Sequence, residues 1–241
     1  MLLGIAGLGG LGAFYYLGGF KDPKAAKEKA SELAKDAKAQ AGAAATGSVT
    51  GALAKDAFKE FTLKEIKPYN HDSSILVFEL PDGTASGLST ASAVLLKAAG
   101  EGLKGSDGKE VIRPYTPIST PETKGHIDFL IKRYEDGNMS KHATALKTGD
   151  KLAIKGPIPK FPYKANEFEE IACIAGGTGI TPMWQVIQTI SQNSQDKTKV
   201  TLIYSNKSQD DILLREEFDK LAKAKPEQVS DPPPRLLFPF V

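Results

Sequence analysis

The sequence predicts an α+β chain of two domains, an antiparallel β-barrel followed by a parallel α/β domain, with an N-terminal membrane helix. Three observations carry this. Short β-rich runs separated by turn residues fill the stretch from Phe61 to Lys155, a spacing that suits a small antiparallel barrel or sandwich. After Phe168 the rhythm becomes strand, helix, strand, helix, which implies a parallel sheet covered by helices. Met1 to Phe20 carries no charge, and about 20 apolar residues is the length that spans a bilayer as a helix.

Residues 1–20 are expected to be the anchor. Tyr15, Tyr16 and Phe20 suit a membrane interface, and Lys21, Lys24, Lys27 and Lys29 follow directly, which keeps the rest of the chain cytosolic. Seven glycines weaken that helix, and no small-residue cleavage site marks a secretory signal. Residues 21–57 read as a helical and flexible stalk. Lys21 to Ala45 is built from strong helix formers with Leu33 as its single large apolar residue, and Thr46 to Gly51 is a flexible break.

The barrel is expected over 58–162. Its strands are Phe61 to Ile66, Ser74 to Leu80, Ala93 to Lys97, His126 to Arg133 and Lys151 to Lys155. In the fourth, Ile127, Phe129 and Ile131 alternate with Asp128, Leu130 and Lys132, the pattern of a strand with one buried face. Pro81-Asp82-Gly83, Asp107-Gly108, Asp136-Gly137 and Thr148-Gly149-Asp150 supply the turns. A proline-rich linker, Pro157 to Pro162, leads to a partial α/β domain over 163–225. There Glu170 to Ala175 and Lys199 to Ser205 read as strands, and Thr181 to Gln192 and Leu214 to Lys223 as helices. The tail, 226–241, reads as irregular because its prolines forbid a central strand or a helix.

Composition excludes several functions. A net charge of +2 with no basic helix argues against nucleic acid. The one cysteine, Cys173, allows no internal disulfide and lies in an apolar run, as a buried structural thiol would. Three scattered histidines and one cysteine make no metal site.

Two motifs carry chemistry. In Arg113-Pro114-Tyr115-Thr116-Pro117-Ile118-Ser119, one of only 4 arginines offers a donor fork that matches two phosphate oxygens. Tyr115 adds an aromatic face and Thr116 a hydroxyl, which together can seat a flavin dinucleotide. Downstream, Gly176-Gly177-Thr178-Gly179 lies between a strand and a helix that starts near Thr181-Pro182. Glycines there let a phosphate or ring approach the backbone at a helix N-terminus.

Together these motifs resemble the ferredoxin reductase-like flavoproteins, and within them the NADH-cytochrome b5 reductase family of fungal mitochondrial type. Gly137-Asn138-Met139-Ser140 is similar to that family's flavin-phosphate turn, and Asn206 to Leu214 to its segment after the second α/β strand. The resemblance implies that FAD is held by Arg113, Pro114, Tyr115, Thr116, Leu130, Lys132, Asn138, Met139 and Ser140. Gly176, Gly177, Thr178, Gly179, Thr181 and Pro182 would complete the cofactor sites, with Thr181 touching the flavin. Thr116 and His71 would be the catalytic pair, His71 as a proton relay. Glu135 departs from the aromatic that the family prefers there.

The implied activity is hydride transfer from NADH to FAD, then single electrons to cytochrome b5, by a monomer tethered to the mitochondrial outer membrane or to the endoplasmic reticulum. Asp210 and Asp211 would disfavour a 2′-phosphate and so favour NADH over NADPH, with Lys207 opposing. A flavin reductase with another acceptor and a flavin-binding non-enzyme are the alternatives. The recognisable sequence stops near Lys225, so the nicotinamide domain is expected to be truncated, with a two-stranded sheet, an open edge and slow NADH turnover.

Overall fold

The computed structural model of this chain describes residues 51–230 and the backbone of residues 2–6 and 13–17. One compact unit spans Ser48–Pro159; the other takes Lys160–Val241 together with Met1–Gly47.

The first unit is an antiparallel sheet of six strands: β3 (Lys59–Pro68), β4 (Ser73–Glu79), β5 (Ser92–Ala98), β6 (Arg113–Tyr115), β7 (His126–Lys132) and β8 (Lys151–Pro159). Their order is β6-β5-β8-β3-β4-β7. The chain leaving β6 returns to the far edge: the Ile118 N–H donates to the Asp128 carbonyl at 2.8 Å. The Asp128 N–H in turn donates to Ser119 Oγ at 3.0 Å. These bonds join the ends of the sheet, as barrel closure requires. Alternate residues face inward, so Leu63, Leu76, Phe78, Val94, Leu96, Ile127, Phe129, Leu152 and Ile154 form one buried cluster. Phe78 and Phe129 meet edge to face with centroids 6.0 Å apart.

Helix α1 (Asn138–Ala145) plugs this core with Met139 and Ala143. The sequence reading had a turn there. It missed the helix because eight residues with few large apolar side chains show almost no 3.6-residue period. The expected stalk also ends too late, since Ala52 and Leu53 are buried in the barrel core. Their N–H groups bond the carbonyls of Ala85 and Ser86 at 2.9 and 3.2 Å. Where these segments cross, a Cβ on Gly51 would lie 2.5 Å from the Gly87 Cα, so only glycine fits.

The second unit contains β9 (Glu170–Gly176), α2 (Ile180–Gln192), β10 (Lys199–Ser205), α3 (Arg215–Ala224) and β11 (Val229–Ser230). β9, β10 and β11 are parallel, with seven register pairs from Lys199↔Glu170 to Ser205↔Gly176. Trp184 of α2 packs edge-on against Phe218 of α3 with centroids 5.0 Å apart. A polar latch fixes the entry to this unit: the Tyr163 hydroxyl donates to Asp196 Oδ2 at 2.5 Å and lies 3.0 Å from Thr198 Oγ1.

Three expectations are corrected here. The N-terminal membrane helix is absent from the described residues: Leu2–Ala6 and Ala13–Leu17 are strands β1 and β2, paired antiparallel. No described helix is long and apolar enough to cross a membrane. β1 runs parallel to β9, with Leu2 opposite Ala172 and Gly4 opposite Ile174. The unmet hydrogen bonds of that sheet edge favour a strand, and glycine is a poor helix former. The sheet therefore has five strands in the order β11-β10-β9-β1-β2, not two with an open β9 edge. Finally, the tail expected to be irregular contributes β11, because Val229 and Ser230 lie between Pro226 and Pro232 and keep their N–H groups. The helical stalk over 21–45 and the tail beyond residue 230 lie outside the described residues.

Candidate functional site

The barrel unit carries one group of polar and aromatic side chains around β6, β7 and the start of α1. Arg113 opens β6 with an exposed side chain, and its Nη1 donates to the carbonyl of its neighbour Ile112 at 2.8 Å. Pro114 and Tyr115 follow, paired with Leu95 and Val94. The Tyr115 phenol is pushed up to about 12, by burial first and then by Tyr134, with Arg113 pulling the other way. It stays a neutral hydrogen-bonding group, with Tyr134 and Arg113 each within electrostatic reach of it. Continuing the antiparallel register set by Ile118 and Asp128 brings Thr116 alongside Leu130, which is buried.

Tyr134 is 48% exposed, the one exposed large hydrophobic among the described residues. Sequence reasoning looked for an aromatic at Glu135 and missed it. The signal was there: Leu130, Lys132 and Tyr134 recur at every second residue along β7 and just past its end. Lys132 itself is tied down, with its Nζ 2.5 Å from Asp72 Oδ2. His71 lies on the exposed β3–β4 turn, its Nε2 3.4 Å from the same carboxylate oxygen.

The Gly137–Ser140 turn works differently from expectation. Ser140 is 4% exposed. Its Oγ accepts the Tyr134 N–H at 3.1 Å and donates to the Gly137 carbonyl at 3.0 Å. A hydroxyl has one proton, so in this arrangement Ser140 shapes the turn and has no donor left for a phosphate oxygen. The Met139 side chain is likewise committed to the barrel core. What Asn138, Met139 and Ser140 present is backbone: their N–H groups form the first turn of α1, where no helical acceptor exists. Gly137 is required because a Cβ would collide with Ser140 Oγ and lie 3.0 Å from Tyr134 Cβ.

The α/β unit carries a second group. β9 ends at Gly176, and a single 3-10 turn, Gly177–Gly179, leads into α2. Gly177 has φ +49°, a left-handed conformation that glycine adopts without strain. Beyond their chain neighbours, no atom of the described residues lies within 4 Å of where a Cβ would stand on Gly177 or Gly179, so the backbone is open to a close-lying ligand. Tyr204 holds this turn: its hydroxyl donates to the Gly177 carbonyl at 2.9 Å and accepts the Leu213 N–H at 3.3 Å. Thr178 is half-buried, and its carbonyl accepts the Thr181 hydroxyl at 3.2 Å. Pro182 is buried in the first turn of α2, where its missing N–H costs nothing.

Neither α1 nor α2 has a side-chain cap or an acidic residue in its first turn, whereas α3 starts with Glu216 and Glu217. The two helix starts without an anion of their own are those that the sequence motifs mark for phosphates. Asn206, just past β10 and in phase with Tyr204, is only 4% exposed, and neither its Oδ1 nor its Nδ2 has a partner among the described residues. A buried amide left unbonded is costly, so this residue fits a ligand that supplies both a donor and an acceptor. The sequence reading takes in the segment Asn206 to Leu214 but gives a role only to its acidic pair, because burial of one asparagine leaves no mark in the sequence. These features fit FAD phosphates on the barrel unit and a nicotinamide dinucleotide on the other.

Comparison with known proteins agrees with this arrangement. The oxidoreductase FAD-binding domain family matches residues 60–163, and the oxidoreductase NAD-binding domain family matches 173–233. NADH-cytochrome b5 reductase 2 of Mycosarcoma maydis is 61% identical over 223 residues, covering 92% of this chain and 63% of that protein. The protein of the same name from Phaeosphaeria nodorum is 41% identical over 240 residues, covering 97% of this chain and 68% of that one. This chain thus spans about two thirds of their length. Among solved structures, the cytochrome b5 reductase domain of Ulva prolifera nitrate reductase superposes with a TM-score of 0.70 at 32% identity, covering 80% of this chain and 81% of that one.

Proposed function

The chain belongs to the NADH-cytochrome b5 reductase family, and on that premise we propose that it is an FAD-dependent oxidoreductase that takes electrons from NADH and passes them singly to cytochrome b5. The observation that carries the reading is the pair of uncapped, acid-free helix starts, each next to its own motif. Bound FAD would accept two electrons as hydride and release them one at a time, which a haem partner requires.

The chain's own residues bind and orient. Arg113 and the first N–H groups of α1 hold the FAD phosphates, with Tyr115 and Tyr134 against its rings. With FAD bound, Thr116 would hydrogen-bond near its ring edge and the exposed His71 would serve as a proton relay. Leu130 keeps water from the groove, and Lys132 lies on the same face. Gly176, Gly177, Thr178 and Gly179 let the nicotinamide dinucleotide approach the start of α2, with Thr181 and Pro182 fixing that start. Asn206 bonds the nucleotide, and Asp210 and Asp211 disfavour a 2′-phosphate, so NADH is preferred. The chain acts as a monomer. Its uncharged residues 1–20, followed by lysines, support attachment to the mitochondrial outer membrane, or second to the endoplasmic reticulum.

Anaerobic titration of the FAD-loaded protein with NADH, followed at the flavin absorbance, tests this. Bleaching followed by reoxidation on adding cytochrome b5 is expected. Bound flavin that NADH leaves yellow would refute the enzyme reading. Asn206→Ala should raise the NADH requirement roughly tenfold at unchanged FAD content, as loss of one buried hydrogen-bonding pair gives.

A further inference from the structure

Lys132, on the face of β7 that runs from Leu130 to Tyr134, does not stand alone. Asp72, from the β3–β4 turn, places Oδ2 2.5 Å from the Lys132 ammonium and 3.4 Å from His71 Nε2. Its Oδ1 accepts the Ser73 hydroxyl at 2.8 Å, and Ser73 is 2% exposed. The backbone is bound as firmly: the Asp72 N–H donates to Asn70 Oδ1 at 3.2 Å, and the Asp72 carbonyl accepts the Arg133 N–H at 2.7 Å. Ser73 sits opposite Lys132 in the β4–β7 register, so the carboxylate is delivered to the lysine by paired strands, not by a mobile loop. The side chains of Asp72 and Lys132 are 23% and 19% exposed, which shields the pair from much of the solvent screening that weakens surface ion pairs.

We propose that Asp72 is a positioning residue that neutralises Lys132 and orients it, together with His71, at the rim of the flavin groove, so that the flavin is reduced beside a charge-neutral pair and not beside a lone cation. The inference rests on the flavin-binding reading above. Flavin gains negative charge on reduction, so an unpaired ammonium nearby stabilises the reduced form and an unpaired carboxylate opposes it. One carboxylate that contacts both Lys132 and His71 couples the local charge to the residue cast as the relay. A purely structural Asp72 would stiffen the turn and leave the flavin's electron affinity alone.

The test is a redox titration of the FAD-loaded protein and three variants, read as the reduced-to-oxidised flavin ratio at fixed ambient potential. Asp72→Asn, which keeps the shape and removes the charge, should raise that ratio on the order of tenfold, as one weakly screened charge at several ångströms gives. Lys132→Met should lower it by a similar factor. The double variant, with neither charge, should return close to the wild-type ratio, the mark of a pair acting as a unit. If Asp72→Asn folds poorly, the downward shift in Lys132→Met and its recovery in the double variant still decide the matter. FAD bound normally, with the same ratio in all four proteins, would overturn this inference alone. Wild-type protein that binds no FAD would overturn the flavin reading as well.

Discussion

At the scale of single residues, the arginine that opens β6 is the sharpest handle. Arg113→Ala should lose FAD during purification while Arg133→Ala retains it, since a charge-assisted bidentate phosphate contact contributes on the order of 1.5–3 kcal/mol. Equal flavin content in the two variants would argue against the assignment. Cys173 makes a different point. It is fully buried, and burial pushes its thiol up to about 12, so it should resist thiol reagents in the native protein and react only on unfolding. Asp196 is 2% exposed; burial alone would raise its carboxyl, but the Tyr163 hydroxyl, the Thr198 N–H and hydroxyl and the Asn166 N–H outweigh that and hold it below its ordinary value. A carboxyl depressed in the folded state stabilises the fold above its unfolded value near ~4 and loses that contribution as pH falls through the lower folded value. Asp196→Asn should therefore cost about 1–3 kcal/mol in urea unfolding at neutral pH, and the gap to wild type should narrow in acid.

At the scale of elements, the turn that starts α1 depends on Gly137. Gly137→Ala forces a methyl group onto Ser140 Oγ, so it should weaken FAD retention at least as much as Ser140→Ala, and comparing the flavin content of the two variants checks this. Most strands were legible in the sequence because alternation survives wherever one face is buried. Lys199–Ser205 alternates exposed or half-buried with buried residues along its whole length, and the reading had its limits right. What the sequence hid is what distant partners decide. Met139 and Ser140 read as part of a turn and stand in the first turn of α1, and only the hydrogen bonds to Tyr134 and Gly137 show that the serine is an internal strut. The N-terminal apolar run has the length of a membrane helix, and nothing in its own residues announces that β9 offers it a strand's worth of hydrogen bonds. Tyr204 looks like any strand tyrosine until its hydroxyl is seen to join the glycine turn to Leu213.

At the scale of the whole molecule, each unit carries its own motif and its own uncapped helix start, so the two cofactor reactions should be separable by mutation. Removing residues 1–20 should leave flavin content unchanged, because the described barrel core is built from residues between Ala52 and Ile154. It should also strip β1 from the edge of β9 and increase self-association in light scattering, since an uncovered parallel edge templates pairing. The pairing of Leu2 with Ala172 sets an order of events as well. Leu2–Ala6 leaves the ribosome about 170 residues before its partner strand has been made, and the loop between them must close against its entropy. Throughout that interval, while the barrel can already be folding, this uncharged and strand-prone segment stays without β9 on the nascent chain. Any lipid surface or chaperone that meets it in that interval competes with β9 for the same five residues.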